Sequence, residues 1–385
     1  MGRNLTTEIH ESIFQELWRE KHAEDRINGM EKPATNPKSK TTKNEAQRPA
    51  RRSAPLVIAV LIAIGVIGAT YIASHYSGND SENNRVTSDW TLDEIPFDGR
   101  DAMGHLESLC DLGRRPSGSQ GMSDQQELIS QHFEECGGLV HRQTFTASDP
   151  RDGSPVPMTN LIAQWAPDRK DRILLCAHYD TLPYPLLDPE DPQGEFVGAN
   201  DGASGVAVLM TLARDLTELT TSRQMQFGVD LVLFDGEEYI FDESQEYFLG
   251  SKYFASSYRD GRLPYEGRYE CGVLLDMVGD ADLQLPKEKN SMQYLSRHVT
   301  KSIWETAHQL EVWEFTSEAG PEIRDDHLML QIEGRIPACD IIDFDYPVWH
   351  TREDTPDQCS ALSLAKVGWV VREWLAEMRP LDEMD

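Results

Sequence analysis

Residues 229–238 read VDLVLFDGEE, an apolar run that stops abruptly at an acidic glycine turn. Such a run is expected to be a strand buried on both faces, as strands of a parallel sheet are. Open α/β sheets present ligand-binding side chains at the carboxyl ends of their strands, which is where Asp235, Glu237 and Glu238 fall. One acidic turn says little, because exposed acidic turns are common. Three further apolar runs close in the same way, however: RILLCAHYD (172–180) with His178 and Asp180, GVLLDMVGD (272–280) with Asp276, and ACDIIDFDYPVWH (338–350) with His350.

Working outward, helical spacing closed by glycine covers 104–113 and 121–137, and strands are expected over 138–147, 160–165 and 172–177. A proline-rich connection over 182–193 leads to GANDGASG (198–205), which places Asp201 before an apolar helix at 206–219; capping that helix is its alternative role. Beyond the DGEE turn follow a helix at 250–257, a strand at 271–278, a helix at 291–310, a strand at 337–344 and an apolar-faced helix at 362–378. Helices alternating with apolar strands imply an α/β three-layer sandwich around a mostly parallel, mixed central sheet. The chain contains neither GxGxxG nor GxxxxGK[ST], so nucleotide chemistry has no foothold.

The 36 basic and 66 acidic residues leave a formal charge of -30, which disfavours nucleic acid and anionic lipid surfaces as partners. Six cysteines are spread without a CxxC pair, against a structural zinc knot or a dithiol redox motif. Residues 1–53 are the exception in charge, with 11 basic and 8 acidic side chains. The uncharged stretch 56–73 follows, with Arg48, Arg51 and Arg52 before it and Asp80 and Glu82 after it. Its length and flanks predict one transmembrane helix. The expected organisation is therefore a cytoplasmic tail (1–53), an anchor (54–75), a linker (76–87) and a catalytic domain (88–385) on the non-cytoplasmic side of the membrane.

Zinc prefers nitrogen and oxygen donors in a tetrahedral set with one position left for water or substrate. His178, Asp201, Glu238, Asp276 and His350 offer such donors, each at a strand end or helix start. All five would suit two ions sharing one carboxylate; three would suit a single ion. Of the adjacent pair Glu237 and Glu238, one could bind metal while the other carries protons.

Taken together, Ala177-His178-Tyr179-Asp180, Gly198-Ala199-Asn200-Asp201, Asp235-Gly236-Glu237-Glu238, Leu275-Asp276, Asp325-Asp326-His327 and Val348-Trp349-His350-Thr351 resemble the M28-type zinc aminopeptidase fold. Within it they are similar to the glutaminyl-peptide cyclotransferases, over about 117–378. The resemblance implies a zinc ion held by Asp201, Glu238 and His350, with Glu237 as acid/base and Asp276 and Asp325 joined to it in a carboxylate network. In the aminopeptidase relatives His178 and Asp276 help to hold a second zinc, and those residues are present here too. Trp349 corresponds to a substrate-pocket tryptophan of the cyclases, whereas Asp340 stands where animal cyclases carry a histidine. The activity implied is conversion of N-terminal glutamine of peptides or proteins to pyroglutamate with release of ammonia. Zinc-dependent removal of N-terminal residues is the alternative. A non-catalytic domain of this fold should have lost one of these donors, and none is missing.

Overall fold

The computed structural model describes residues 87–222 and 225–379, which fall within one unit, Asn84–Asp385. Its strands are β1 (Leu139–Ser148), β2 (Pro155–Trp165), β3 (Asp171–His178), β4 (Gly228–Phe234), β5 (Arg268–Asp276), β6 (Leu285–Lys287), β7 (Phe315–Ala319) and β8 (Ala338–Ile342). Its helices are α1 (Gly99–Cys110), α2 (Gln120–Glu135), α3 (Gly205–Thr221), α4 (Leu249–Arg259), α5 (Arg297–Gln309), α6 (Asp326–Ile332) and α7 (Ala361–Glu377).

The large sheet runs β1-β2-β4-β3-β5-β8. Four apolar strands, β4, β3, β5 and β8, are parallel, and the hairpin partners β1 and β2 join antiparallel at one edge. Side chains alternate across this sheet with the period of two that a pleated strand imposes. Ile173, Leu175 and Ala177 of β3 face a large core shared with α1, α2, α3, α5 and α7. Leu174 and Cys176 face a smaller core containing Phe254 of α4 and Leu330 of α6. Helices thus cover both faces, in agreement with the three-layer expectation.

Asp230 interrupts the apolar alternation of β4 and is fully buried. It accepts hydrogen bonds from the guanidinium of Arg172, from Tyr269 Oη at 2.5 Å and from Gln164 Nε2 at 3.1 Å, which offsets its desolvation.

The expected fold is corrected on one point. Among the described residues no helix is long and apolar enough to cross a membrane, so the architecture described is the α/β sandwich alone, and the transmembrane helix is not part of it. The stretch 56–73 itself lies outside the described residues. Two smaller differences have local causes. The helix expected from 291 begins at Arg297, because Ser291 and Met292 are held in a turn under Glu288. The short pair β6–β7 contains a proline and only three residues on one side, too little to show a period.

Candidate active site

The four parallel strands deliver their carboxyl ends to one place. His178 is the last residue of β3, Asp276 the last of β5, and Glu237 and Glu238 sit in the turn after β4. His350 arrives on the loop after β8. Asp201 lies on an irregular turn, Ala199–Ser204, where it is extended (φ -86°, ψ 100°) and Gly202 is left-handed (φ 94°). A Cβ on Gly202 would stand 2.6 Å from the carbonyl oxygen of Asp180, so only glycine lets the two loops meet here. Asp201 does not cap the helix: α3 starts at Gly205 with Ser204 before it.

Asp201 is shared between two donor groups. Its Oδ1 lies 3.2 Å from His178 Nε2, and its Oδ2 lies 3.4 Å from His350 Nε2. His350 Nε2 is also 3.4 Å from Glu238 Oε2, and His178 Nε2 is 3.2 Å from Asp276 Oδ1. The sets Asp201/Glu238/His350 and His178/Asp201/Asp276 are each buried and mutually close. These spacings fit zinc, since metal–donor bonds of about 2.0–2.1 Å in a tetrahedron separate neighbouring donors by about 3.4 Å. Asp201 Oδ2 and Glu238 Oε2 have no hydrogen-bond partner although they are buried, a costly state that a cation would relieve.

Carboxylates behind these donors hold them in place. Asp180 accepts the backbone N–H groups of Glu237 (3.0 Å) and Glu238 (3.2 Å), which fixes the turn. Leu182 N–H donates to Glu238 Oε1 at 2.6 Å and leaves Oε2 facing His350. Asp354, fully buried, accepts from Asn200 N (2.8 Å), Asp201 N (3.1 Å) and Tyr346 Oη (2.7 Å). The buried guanidinium of Arg115 donates to the carbonyl of Gly198 and lies in the field of Asp354, Glu238 and Asp180. Neither Asp354 nor Arg115 was singled out from the sequence: TREDTP (351–356) and GRRPSG (113–118) read as polar loops, and only the fold brings them behind Asp201.

A cavity of about 540 Å³ opens onto the donors and is lined by Glu237, Tyr247, Ile323, Asp325, Phe344 and Trp349, among others. Trp349 stacks on His350 with ring centroids 3.8 Å apart, and Phe344 packs against Trp349 at 5.0 Å. Burial holds the Glu237 carboxyl well above its ordinary value; His178 opposes this, and Asp325, Asp326 and Asp180 reinforce it. Asp325 is raised for the same reason, first by burial and then by Asp276 and Asp326. Phe248, Met277 and His350 all adopt positive φ (64°, 46° and 58°), a backbone state that ordinary residues occupy at a cost of about 1–2 kcal/mol.

Residues 160–375 match peptidase family M28. The chain belongs to that family. It is similar in sequence to glutaminyl-peptide cyclotransferase of Bos taurus, at 25% identity over 292 residues, which span 69% of this chain and 79% of the relative. Among solved structures it is similar to glutaminyl cyclase of Fimbriiglobus ruber, with 37% identity and a TM-score of 0.70, covering 76% of this chain and 98% of that one. It is also similar to a leucine aminopeptidase precursor of Bacteroides thetaiotaomicron, with 30% identity and a TM-score of 0.67, covering 74% of this chain and 99% of that one. Within the M28 family the likeness is therefore to the glutaminyl cyclases first, on a scaffold shared with aminopeptidases, and zinc is the metal that family and donor set suggest.

Proposed function

We propose that the chain is a glutaminyl-peptide cyclotransferase that converts N-terminal glutamine of peptides to pyroglutamate and releases ammonia. The observation that carries this reading is Glu237: a carboxyl only 13% exposed, beside the triad Asp201, Glu238 and His350, yet outside it, and open to an aromatic-walled cavity. Those three residues would hold one zinc ion. When bound, zinc supplies Lewis acidity, which polarises the side-chain amide and stabilises charge developing on its oxygen.

The chain's own groups account for the proton transfers. Glutamine folds back so that its α-amine faces its own side-chain amide carbon, and Trp349, Phe344 and Ile323 wall in that compact shape. Glu237 accepts a proton from the attacking amine and passes it to the departing ammonia. Its raised pKa suits a group that must both take and give a proton near neutrality. Burial first, and then the carboxylates of Asp325, Asp326 and Asp180, keep it raised, and Asp276 in turn raises Asp325.

The second reading, hydrolysis of N-terminal residues, is favoured by His178, which reaches Asp201 and Asp276 at 3.2 Å and so offers a second metal position. One assay separates the two. Gln-initiated and Leu-initiated short peptides are offered together with zinc and followed by mass. Loss of 17 mass units (NH₃) from the Gln peptide alone supports cyclisation; release of free leucine supports the aminopeptidase. The Glu237→Gln variant should lose roughly 10²–10⁴ in kcat while retaining zinc, and full activity in it would remove Glu237 from either mechanism.

A further inference from the structure

Strand β1 is an open edge. It pairs only with β2, so every second residue along it turns an N–H and a C=O away from the sheet. Edges of this length are normally blunted by charge or proline. Residues 143–148 (QTFTAS) contain neither, and among the described residues no strand pairs with their outer side. Beside them lies a second cavity of about 500 Å³, lined by Phe145, Ala147 and Ser148 of β1, by Tyr239, and by Leu249 and Tyr253 of α4. The rings of Phe145 and Tyr253 stack there with centroids 4.6 Å apart and planes 15° from parallel. Phe145, Ala147 and Leu249 are half-buried against a small apolar cluster of Val156, Met158 and Tyr239, which makes a firm floor.

This groove stands at the catalytic end of the domain. β2 runs antiparallel to both of its neighbours, so β1 runs the same way as β4 and the two end on one side of the sheet. A single loop, 239–249, separates the two spaces: Tyr247 and Phe248 line the catalytic cavity, and Tyr239 and Leu249 line the groove. β1 is two strands away from β4, about 10 Å at roughly 4.8 Å per strand. An extended peptide covers that distance in about three residues. Charge indicates what kind of segment fits. The chain carries -30, yet the only charged side chains lining the groove are Lys252 and Glu246, and these are paired with each other.

We propose that the β1 edge and its groove bind the body of the substrate polypeptide, taking an extended, uncharged stretch about five to eight residues from the N-terminus as an added strand. That stretch would bond to the outward backbone groups of 143–148 and set alternate side chains against Phe145 and Tyr253. The inference rests on the proposed cyclisation and narrows its substrates to polypeptides with an unfolded N-terminal arm, rather than dipeptides or tripeptides. A second copy of the chain could pair with the same edge, but the continuity of groove and catalytic cavity across one loop favours the substrate.

The test uses the full chain and two Gln-initiated peptides with the same first three residues, one a tripeptide and one extended to about ten residues with alternating threonine and valine. The longer peptide should show a KM at least tenfold lower at unchanged kcat, because contacts far from the reacting atoms bind ground and transition states alike. Phe145→Ala and Tyr253→Ala remove the stacked pair, and Thr146→Glu charges the edge. Each should erase most of the advantage while leaving the tripeptide unaffected, which also shows that the variants fold. Proline at alternate positions from the fifth residue of the long peptide should act in the same way, since proline has no N–H to donate. Equal KM for both lengths, or an equal loss for both in the variants, overturns the groove. So does a dimer in light scattering that Thr146→Glu dissociates, which would assign the edge to a second copy of the chain. Fluorescence anisotropy of the labelled long peptide needs no turnover: if no peptide is cyclised the proposed activity fails, while the groove still stands or falls on whether Thr146→Glu weakens that binding.

Discussion

Replacing Asp354 by asparagine tests how the donor set is held. The wild-type carboxylate accepts three hydrogen bonds, two of them from the backbone N–H groups of Asn200 and Asp201. Asparagine has one acceptor oxygen. If that oxygen faces Asn200 and Tyr346, the amide NH₂ meets the Asp201 N–H, donor against donor, and the turn must move. Losing one buried bond to a charged acceptor costs about 1.5–3 kcal/mol. For a domain of this size that corresponds to a Tm lower by about 2–5 °C. The larger consequence falls on Asp201, whose two oxygens face His178 and His350 from the displaced turn. Loss of an outer partner of a ligand typically weakens metal binding 10–100-fold, so zinc competition against a chromogenic chelator should show a shift of that order, with cyclisation falling in parallel at limiting zinc and recovering at excess. An Asp354→Asn chain with the zinc affinity of the parent would refute the claim that Asp354 positions Asp201.

Four further outcomes are expected. Arg172→Met leaves Asp230 buried without its cation and should lower stability by about 3–5 kcal/mol, read by urea denaturation; a loss below about 1 kcal/mol would mean that Tyr269 and Gln164 suffice. His105 is held at about 4 chiefly by burial, against the pull of Asp101. Its folded value lies below its unfolded one, so stability should be full above about pH 6.5 and fall as pH drops toward 4; His105→Gln should flatten that part of the Tm–pH curve, and an unchanged slope would exclude His105 as its source. Trp349→Ala removes the ring stacked on His350 and should raise KM for Gln-initiated peptides by tenfold or more, whereas an unchanged KM would make that ring mere packing. Gly202→Ala forces a Cβ against the Asp180 carbonyl and should lower both Tm and zinc content, while retention of both would show that the turn can yield.

Much of this architecture is written in the strands. RILLCAH, VDLVLF and GVLLD are nearly continuous apolar runs, so their burial on both faces, and hence the parallel sheet, follows from composition alone. The gathering of His178, Asp201, Glu238, Asp276 and His350 follows from that sheet, because parallel strands all end on one side. What the sequence hides is what depends on tertiary approach. Asp354 resembles any acid in a polar loop until the loop folds under Asn200 and Asp201. Glu288 follows a three-residue strand with no visible period, and its role depends on an imidazole 39 positions downstream in the chain. Asp340 is visible as a charge inside an apolar strand, but its partners are not. The short helix α6 escaped notice because seven residues hold less than two full repeats of a helical pattern.

The three left-handed residues around the cavity, Phe248, Met277 and His350, bear on how this enzyme could be made more heat-resistant. Glycine at any of them would relax the local backbone, although it would also remove a side chain from the pocket or its support. Conventional stabilisation by consensus or backbone relaxation would therefore find some of its gains at the rim of the cavity, where they would loosen the alignment of Asp276, Glu238 and His350. Selection for heat resistance and selection for turnover should accordingly diverge at these three positions, and an engineering campaign that leaves them untouched and works on α1, α2 and the far end of the sheet should keep both.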